Sequence, residues 1–231
     1  MDAVLKVGGS LSDDPERLIA LCAKLSRLAK DYELVVVPGG GRFADVVRDS
    51  DEHFNLSSEI SHRMAILGMD QFGLLIAQIT PNSCATPLLD DAKQLSETEA
   101  VPVFLPSRLM FKEDPLKNSW DVTSDSIAAY VASRLQATKL ILVTDVDGIF
   151  TKDPKKNEGA TLISLLSAED LLKFNARTSV DRFLAKLLLE AHFDCYVVNG
   201  KYPERIEAIL MGQQVTYTLI SAGTGGTRFI S

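Results

Sequence analysis

The sequence predicts an α/β fold in which a parallel sheet is covered by helices on both faces. Short apolar runs alternate with longer segments of helical period along almost the whole chain, and this alternation is typical of parallel strands joined by crossover helices. Two of the apolar runs, residues 3–7 and 34–37, end in clusters of glycine. Glycine at a strand end indicates that a ligand or another segment comes very close to the backbone there.

A helix is predicted directly after the first strand. Asp13 or Asp14 caps it, and Pro15 stands in its first turn, where proline is well tolerated. Apolar side chains recur along it at helical spacing, at Leu18, Leu21, Cys22, Leu25 and Leu28. The second strand, residues 34–37, leads into a second helix that begins at Phe43.

Residues 58–79 predict one long or broken helix. Its apolar positions recur at helical spacing, whereas Gly68 and Gly73 weaken the pattern; they are Ile60, Met64, Leu67, Leu74, Leu75 and Ile79. Residues 80–121 are rich in proline and turn residues and predict an irregular pocket rim around two short strands. The remaining predicted elements are strands near Ala85 and at 101–104, 139–143, 196–198 and 216–220, and helices at 124–135, 180–191 and 203–210.

Composition indicates a globular protein of one domain or two closely fused lobes. The chain has 231 residues, of which 46% are hydrophobic and 24% are charged, so it can bury a sizeable core. We expect one domain over residues 1–231, with any boundary between lobes near residues 136–138. The formal net charge of −7 disfavours a nucleic-acid or membrane partner, so a bound anion must be held by a local site.

The cysteines and the N-terminus predict a cytoplasmic protein. Cys22, Cys84 and Cys195 are scattered and lack the spacing of metal ligands, which is typical of reduced thiols that serve as small core residues. The N-terminus enters a strand pattern at once, and no run is long enough to span a membrane.

The two glycine clusters predict a site for an oxygen-rich anion. "VGGS" and "PGGGR" each follow a strand, so backbone N–H groups and the positive end of a following helix can approach a phosphate; two tight turns are the alternative. Lys6 lies within the first apolar strand, where an unpaired ammonium would be costly to bury and a phosphate oxygen would compensate it. The alternative for Lys6 is a side chain that reaches water from a strand end.

Two further blocks carry acidic residues. In "SWDVTSDSIAAYVASRL", residues 119–135, Ser124 or Asp125 stands at a helix start, where a carboxylate is also favoured by the helix dipole alone. In "LILVTDVDGIFTKDPKK", residues 140–156, Asp145, Asp147 and Asp153 follow an apolar strand. Such carboxylates suit Mg²⁺, a ribose hydroxyl or phosphate-binding lysines; a solvated acidic loop is the alternative.

Taken in order, "KVGGS", "VVVPGGGRF", "DVTSDSIAAYVA" and "TDVDGIFTKDPK" resemble the amino acid kinase family, and "NGKYPERIEAILMG" resembles its closing segment. The resemblance covers nearly the whole chain. It implies a three-layer α/β/α sandwich with a mostly parallel central sheet. It also implies an ATP-dependent phosphotransferase that uses Mg²⁺, with the acceptor bound by residues 1–135 and the nucleotide by residues 136–231. Family kinases are usually oligomers, so we expect a homo-oligomer.

Carried over residue by residue, the resemblance implies three sets of site residues. Lys6 would stabilise the transferring phosphoryl group, and Asp125 would orient the catalytic lysines. The nucleotide would contact Lys6, Gly8, Gly9, Thr144, Asp145, Phe150, Lys152, Asp153 and Pro154, with Phe150 where the family often has tyrosine. The acceptor would contact Gly39, Gly40, Gly41, Arg42, His62, Arg63, Trp120 and Asp121.

The chain departs from the family at the second catalytic lysine. The family often carries "GGM" before this lysine, whereas this chain has "TSVDRFLAKLLLEA" at residues 178–191. Lys186 is the better match, and Arg182 is the alternative.

The acceptor is predicted from the helix over residues 58–79 and from the "SWDVTSDS" block. Together they look most like the branch that phosphorylates an aminomethylfuran methyl phosphate in methanofuran biosynthesis. His62 with Arg63 would hold an anionic group, Trp120 would pack on the furan ring, and Asp121 would pair with the aminomethyl cation. Ordinary helix surface and rim packing are the alternatives for these residues. Another phosphate monoester, a carboxylate acceptor, or a nucleotide-binding protein without useful turnover stay open as alternatives.

Overall fold

A single mixed sheet forms the centre of the protein. The computed structural model describes residues 1–173, 180–181, 183–191, 193–223 and 227–229. Its strands are β1 Ala3–Val7, β2 Leu34–Pro38, β3 Ser83–Thr86, β4 Val101–Phe104, β5 Lys139–Thr144, β6 Ile149–Phe150, β7 Leu162–Ser167, β8 Asp194–Asn199, β9 Thr218–Ser221 and β10 Arg228–Phe229. Within the described ranges the order across the sheet is β10-β7-β9-β8-β5-β1-β2-β4-β3, with β6 beside β7.

Helices cover both faces of this sheet. They are α1 Pro15–Leu28, α2 Gly41–Phe54, α3 Ser58–Ile79, α4 Leu89–Ser96, α5 Ser107–Glu113, α6 Ser124–Arg134, α7 Ala168–Lys173, α8 Leu184–Ala191 and α9 Glu204–Leu210. A 3-10 helix over Gly9–Asp13 connects β1 to α1. The predicted α/β fold with a mostly parallel central sheet is therefore confirmed.

The sheet is parallel in the middle, where helices that connect successive strands cover both of its faces. β1 pairs in parallel with β2 and with β5, and Lys6 lies opposite Val37 and Leu142. Alternate residues of β1 enter different halves of the core: Val4 joins a cluster with α6 and α8, whereas Leu5 joins one with α1 and α9. β9 runs antiparallel to β8, and the short strands β6 and β10 run antiparallel to β7.

The first helix forms as its capping residues predict. Asp14 is the N-cap, and its side chain accepts a hydrogen bond from the backbone N–H of Arg17 at 3.2 Å. Pro15 is the first helical residue. The five apolar residues of the predicted stripe are all buried, so this element is confirmed in both its start and its buried face.

Helix α3 is continuous, and its two glycines are contact points. A Cβ on Gly73 would lie 2.6 Å from Cδ2 of Leu105, and one on Gly68 would lie 3.2 Å from the backbone of α2. The apolar positions that predicted this helix do not form its buried face. Its buried apolar residues are instead Ile66, Met69, Phe72 and Ile76. Ile60, Leu67, Leu74 and Leu75 are between 42% and 55% exposed.

Several short elements were not predicted. The two strands within residues 80–121 are confirmed as β3 and β4, but this region also contains α4 and α5, whose eight and seven residues are too few to show a clear period. β7 and its partners β6 and β10 also went unrecognised. Helix α2 begins at Gly41, two residues before the predicted start.

No helix in the described part of the chain is both long enough and apolar enough to cross a membrane.

Candidate active site

The two glycine clusters pack directly against each other. A Cβ on Gly9 would lie 2.1 Å from the backbone nitrogen of Gly41, and one on Gly39 would lie 2.8 Å from the nitrogen of Gly9. Gly41 also has a positive φ of 53°, which disfavours a residue with a side chain. The glycines therefore let the carboxyl ends of β1 and β2 meet, so that the segments after both strands face one space.

Lys6 forms a buried ion pair with Asp125. Its Nζ lies 2.8 Å from Oδ1 of Asp125, and the two side chains are 12% and 6% exposed. The pair forms because α6 packs on the face of β1 that carries Val4 and Lys6 and because Asp125 lies in the first turn of α6. A carboxylate thus compensates the lysine whose unpaired burial would be costly, and it fixes the ammonium at the end of β1.

Asp181 connects this ion pair to helix α8. Its carboxylate accepts hydrogen bonds from the backbone N–H and hydroxyl of Thr123, from the backbone N–H and hydroxyl of Ser126, and from the N–H of Leu184, at distances of 2.5–3.0 Å. The backbone N–H of Asp181 donates to Oδ2 of Asp125 at 3.2 Å. Burial and the nearby charge of Asp125 raise the pKa of Asp181. One carboxylate therefore caps the starts of both α6 and α8.

A large groove of about 590 Å³ opens beside Lys6. All nine residues predicted to bind the nucleotide line it: Lys6, Gly8, Gly9, Thr144, Asp145, Phe150, Lys152, Asp153 and Pro154. Among the described residues that line the groove, five are cationic, namely Lys6, Arg48, Lys152, Lys155 and Lys156, and two are carboxylates. The groove thus has a local excess of positive charge in a protein of net charge −7, which suits a polyphosphate.

Ion pairs hold the walls of this groove in place. Lys155 donates to Asp145, and although burial alone would raise the pKa of Asp145, its hydrogen bond and charge contact with Lys155 hold that pKa below its ordinary value. Asp147 accepts from Arg205 at 2.6 Å and from the side-chain amide of Asn199 at 3.1 Å. The acidic block after β5 is therefore paired with cations.

A second cavity, of about 320 Å³, joins the groove at Lys6, Gly9 and Ser10. Gly40 and Gly41 at the start of α2 and Ser124 at the start of α6 also line it. The first N–H groups of a helix have no partner within that helix and favour anions. Lys6 and the second glycine cluster thus face one shared space.

A third, apolar cavity of about 60 Å³ lies beyond the start of α2. Trp120 lines it together with His62, Ile66, Met69 and Ile127. The indole Nε1 of Trp120 donates to Asp51 at 2.8 Å, which fixes the ring. His62 is 8% exposed. Its burial lowers its pKa, whereas the charge of Asp114 acts in the opposite direction, so the imidazole is neutral at neutral pH.

Some predicted residues lie away from these three cavities. Arg63 pairs with Glu59 at 3.2 Å and lines a separate, water-sized cavity behind His62. Asp121 is exposed, and Gly39 is buried and lines none of the three cavities. Lys186 is exposed on α8, with its Nζ 5.4 Å from the ring centre of Phe183. Arg182 lies outside the described residues.

Two backbone donors are already used within the fold. Gly8 donates its N–H to Val143, and Gly39 donates its N–H to Val7, each at 2.8 Å. Arg42 lines the second cavity but pairs with Asp13 across a mostly exposed contact. A hydrogen bond from the N–H of Gly8 to a phosphoryl group would therefore have to replace its bond to Val143.

Arg48 and Asp181 belong to the site but were not predicted from the sequence. Arg48 lies seven residues after Gly41, about two helical turns away, and so points to the same side of α2 as the glycine. That spacing is a signal from which Arg48 could have been found. Asp181 stands in the "TSVDRFLAK" segment, and no local pattern links it to Thr123 and Ser126, which precede it by 58 and 55 positions.

The carboxylates that line the groove determine whether the site suits Mg²⁺. No group of three or more metal-ligating side chains occurs among the residues that the structure describes. Mg²⁺ commonly binds through substrate phosphates together with one or two carboxylates, and Asp145 and Asp153 line the groove. The residues present therefore fit a magnesium ion that enters with a nucleotide.

Comparison with known proteins identifies relatives along nearly the full chain. Residues 1–199 match the sequence profile of the amino acid kinase family. The chain is 36% identical over 217 residues to the [5-(aminomethyl)furan-3-yl]methyl phosphate kinase of Methanocaldococcus jannaschii, covering 94% of this chain and 96% of that protein. It is 25% identical to the uridylate kinase of Pyrococcus abyssi, over 92% and 96% of the two chains.

Solved structures share the fold. The uridylate kinase of Archaeoglobus fulgidus superposes with a TM-score of 0.77 at 24% identity, covering 96% of this chain and 100% of that chain. The UMP kinase of Bacillus anthracis superposes with a TM-score of 0.78 at 18% identity, covering 100% and 98%.

Proposed function

The chain belongs to the amino acid kinase family and is a phosphotransferase, and we propose that it transfers the γ-phosphoryl group of ATP to [5-(aminomethyl)furan-3-yl]methyl phosphate. The single observation that carries this proposal is the shared space at Lys6. There a cation-lined groove that suits a triphosphate meets a second cavity lined by two helix starts. A phosphoryl group that passes between two oxygen atoms needs such a meeting point.

The proposed mechanism is electrostatic. Phosphoryl transfer requires in-line placement and positive charge around the transferring oxygens, with little covalent chemistry from the protein. Lys6 supplies charge at the junction, by which we mean the place where the groove meets the second cavity. Asp125 holds the ammonium of Lys6 in place from 2.8 Å. The helix starts at Gly41 and Ser124 supply N–H dipoles on the acceptor side. Mg²⁺, when bound with ATP, would neutralise phosphate charge, and Asp145 and Asp153 are the residues that would hold it.

The lining of these cavities supports a division of the chain. We propose that residues 1–135 bind the acceptor, because Gly40, His62 and Trp120 line the second and third cavities. Residues 136–231 bind most of the nucleotide, because Thr144, Asp145 and the segment from Phe150 to Lys156 line the groove. Lys186 is retained only as a candidate second cation, since its exposed side chain would have to move to reach the junction.

The acceptor proposal rests on the third cavity and on the methanogen relative. An apolar space with an indole on one side suits a small aromatic ring, and the neutral imidazole of His62 can accept a hydrogen bond from an aminomethyl group. Asp121, which was predicted to pair with that cation, is exposed and does not line the cavity. UMP is the second candidate acceptor, favoured by the uridylate kinase relatives.

Purified protein with ATP and Mg²⁺ is expected to convert [5-(aminomethyl)furan-3-yl]methyl phosphate to its diphosphate. We expect its kcat/KM to exceed that for UMP or isopentenyl phosphate by roughly a hundredfold or more, as for a site built to bind one substrate's polar groups. Product formation is measured by chromatography and ADP release. Faster turnover of UMP would reject the furan acceptor, and ATP binding without turnover of any acceptor would reject the kinase proposal.

We also propose that the protein is a cytoplasmic homo-oligomer in which a second copy covers an exposed face of α3. Ile60, Leu67 and Leu74 recur every seven residues and are 46%, 47% and 55% exposed. A seven-residue apolar repeat is typical of a helix that packs on another helix, and the same stripe on a two-fold related copy would be complementary to it. The free cysteines Cys22, Cys84 and Cys195 support a reducing compartment.

Sedimentation equilibrium tests this assembly. The wild type is expected to be at least a dimer, and the double variant Leu67→Glu/Leu74→Glu is expected to be a monomer, because burying carboxylates in an apolar contact is costly. The variant Ile19→Glu, at an exposed apolar position on α1, is the control and should keep the wild-type mass. A monomeric wild type would contradict the proposal.

A further inference from the structure

Arg48 lies where the three cavities of the site meet. Of the residues that the structure describes, it alone lines the large groove, the second cavity and the apolar third cavity. Its position on α2 is fixed by the helix start at Gly41. A side chain placed there can reach both the acceptor's ring and the group that receives the phosphoryl.

Arg48 has only a weak protein partner. Its guanidinium pairs with Asp45 at 2.5 Å, one turn back on the same helix, and the two side chains are 51% and 64% exposed. Exposed ion pairs of this kind contribute little free energy because water and salt screen them. A phosphate dianion could therefore displace Asp45 at small cost.

A tryptophan supports the guanidinium from one side. The Cζ of Arg48 lies 5.0 Å from the ring centre of Trp120, within the range of a cation–π contact. Trp120 is itself held by the hydrogen bond from its Nε1 to Asp51 at 2.8 Å. Asp51 and Arg48 are on the same helix, so α2 fixes both the guanidinium and the ring beneath it.

Two other cations near the junction, Lys6 and Arg42, are already paired with carboxylates, so a cation is still needed for the acceptor's phosphate. Lys6 is paired with Asp125, and Arg42 is 77% exposed and paired with Asp13. Two phosphate groups must approach each other here, so the acceptor's phosphate needs a cation of its own.

We propose that Arg48 is the specificity-determining residue that binds the phosphate of the acceptor, exchanging Asp45 for two phosphate oxygens while it stays stacked on Trp120. This inference rests on the proposed kinase function and deepens it: it names the residue that would select phosphate monoesters over uncharged acceptors. The planar guanidinium fork matches phosphate bidentately, whereas a lysine would offer only a point charge. A neutral alcohol would leave that fork unpaired, and a carboxylate, which also fits the fork, would bring one negative charge where a phosphate dianion brings two.

Steady-state kinetics on two variants test the proposal. Arg48→Ala removes both the charge and the bidentate donors, so it is expected to raise the KM for the furan phosphate on the order of a hundredfold. Arg48→Lys keeps the charge and loses only the bidentate geometry, so we expect a rise of roughly tenfold. The KM for ATP should rise much less than the KM for the acceptor, since Arg48 is only one of five cations that line the groove, and the melting temperature should stay near wild type. Arg17→Ala is the matched control, since Arg17 also pairs with an aspartate at three-residue spacing on an exposed helix surface.

A binding measurement separates this inference from the choice of acceptor. Calorimetry with methyl phosphate, in the presence of a non-hydrolysable ATP analogue and Mg²⁺, needs no turnover and no furan ring. Wild type and Arg17→Ala are expected to bind methyl phosphate with similar affinity, and Arg48→Ala to bind it at least about thirtyfold more weakly. This result would support Arg48 even if the furan phosphate proved not to be the acceptor.

Three results would overturn the role of Arg48. The first is wild-type affinity for methyl phosphate in Arg48→Ala, and the second is no binding of methyl phosphate by the wild type. The third is an equal rise in acceptor KM in the Arg17→Ala control. Trp120 is the single tryptophan of the chain, so its fluorescence gives an additional readout: methyl phosphate should change the emission of the wild type, and methanol should not.

Discussion

Replacing Lys6 with alanine is expected to lower kcat by about a hundredfold or more, because it removes a preorganised charge from the point where we propose that the phosphoryl group passes. Lys6 is almost fully buried and held at 2.8 Å from Asp125, so no reorganisation is needed when charge develops nearby. The measurement is initial velocity with saturating ATP and acceptor. A kcat within about threefold of wild type would remove Lys6 from the mechanism.

The loss of Lys6 also leaves Asp125 without its cation in a buried place, which costs stability. The double variant Lys6→Ala/Asp125→Asn separates the two effects. Thermal unfolding should show that it recovers stability relative to Lys6→Ala, whereas its kcat should stay low. Recovery of kcat in the double variant would mean that Lys6 acts only by neutralising Asp125.

Replacing Asp181 with alanine is expected to lower the free energy of unfolding by about 3 kcal/mol, since several buried donors would lose their acceptor. Five donors from Thr123, Ser126 and Leu184 share this carboxylate. Asp14→Ala is the matched control, because Asp14 also caps a helix but lies exposed and accepts one backbone N–H. That change should cost about 1 kcal/mol, as measured by urea unfolding.

Asp181→Asn tests the role of this residue in positioning. The amide keeps one acceptor oxygen but cannot accept from all five donors, so the start of α6 and the carboxylate of Asp125 should shift slightly. We expect kcat to fall roughly tenfold with little change in the KM for ATP, as for a small misplacement of a catalytic group. An unchanged kcat in a destabilised variant would limit Asp181 to a structural role.

The raised pKa of Asp181 gives its contribution to stability a pH dependence. Burial and the charge of Asp125 favour the protonated acid in the folded state, so the folded protein binds this proton more tightly than the unfolded chain does. The contribution is fully present below the ordinary carboxyl pKa and is lost as pH rises through the raised value. The stability difference between wild type and Asp181→Asn should therefore change across that window.

The local sequence determined most strands of the central sheet, the capping of α1 and the place proposed for a phosphate. These features depend on neighbouring residues: alternation of apolar runs predicts the parallel sheet, and Asp14 with Pro15 fixes a helix start. Glycines directly after β1 and β2 predict an anion site there, because the carboxyl ends of adjacent parallel strands lie at one edge of the sheet. All nine residues predicted to contact the nucleotide line one groove. Those after β1 and after β5 meet there because these two strands are adjacent and parallel.

Only the tertiary structure decided which charges meet. Lys6 and Asp125 are far apart in the chain and pair because α6 crosses β1. Asp181 reaches Thr123 and Ser126 only because α8 packs beside α6. Conversely, Asp121 and Lys186 have suitable side chains but lie on exposed surfaces, away from the three cavities. Residue type and spacing reveal which groups a strand end presents, whereas long-range packing sets the distance between two charges, and with it the strength of their interaction.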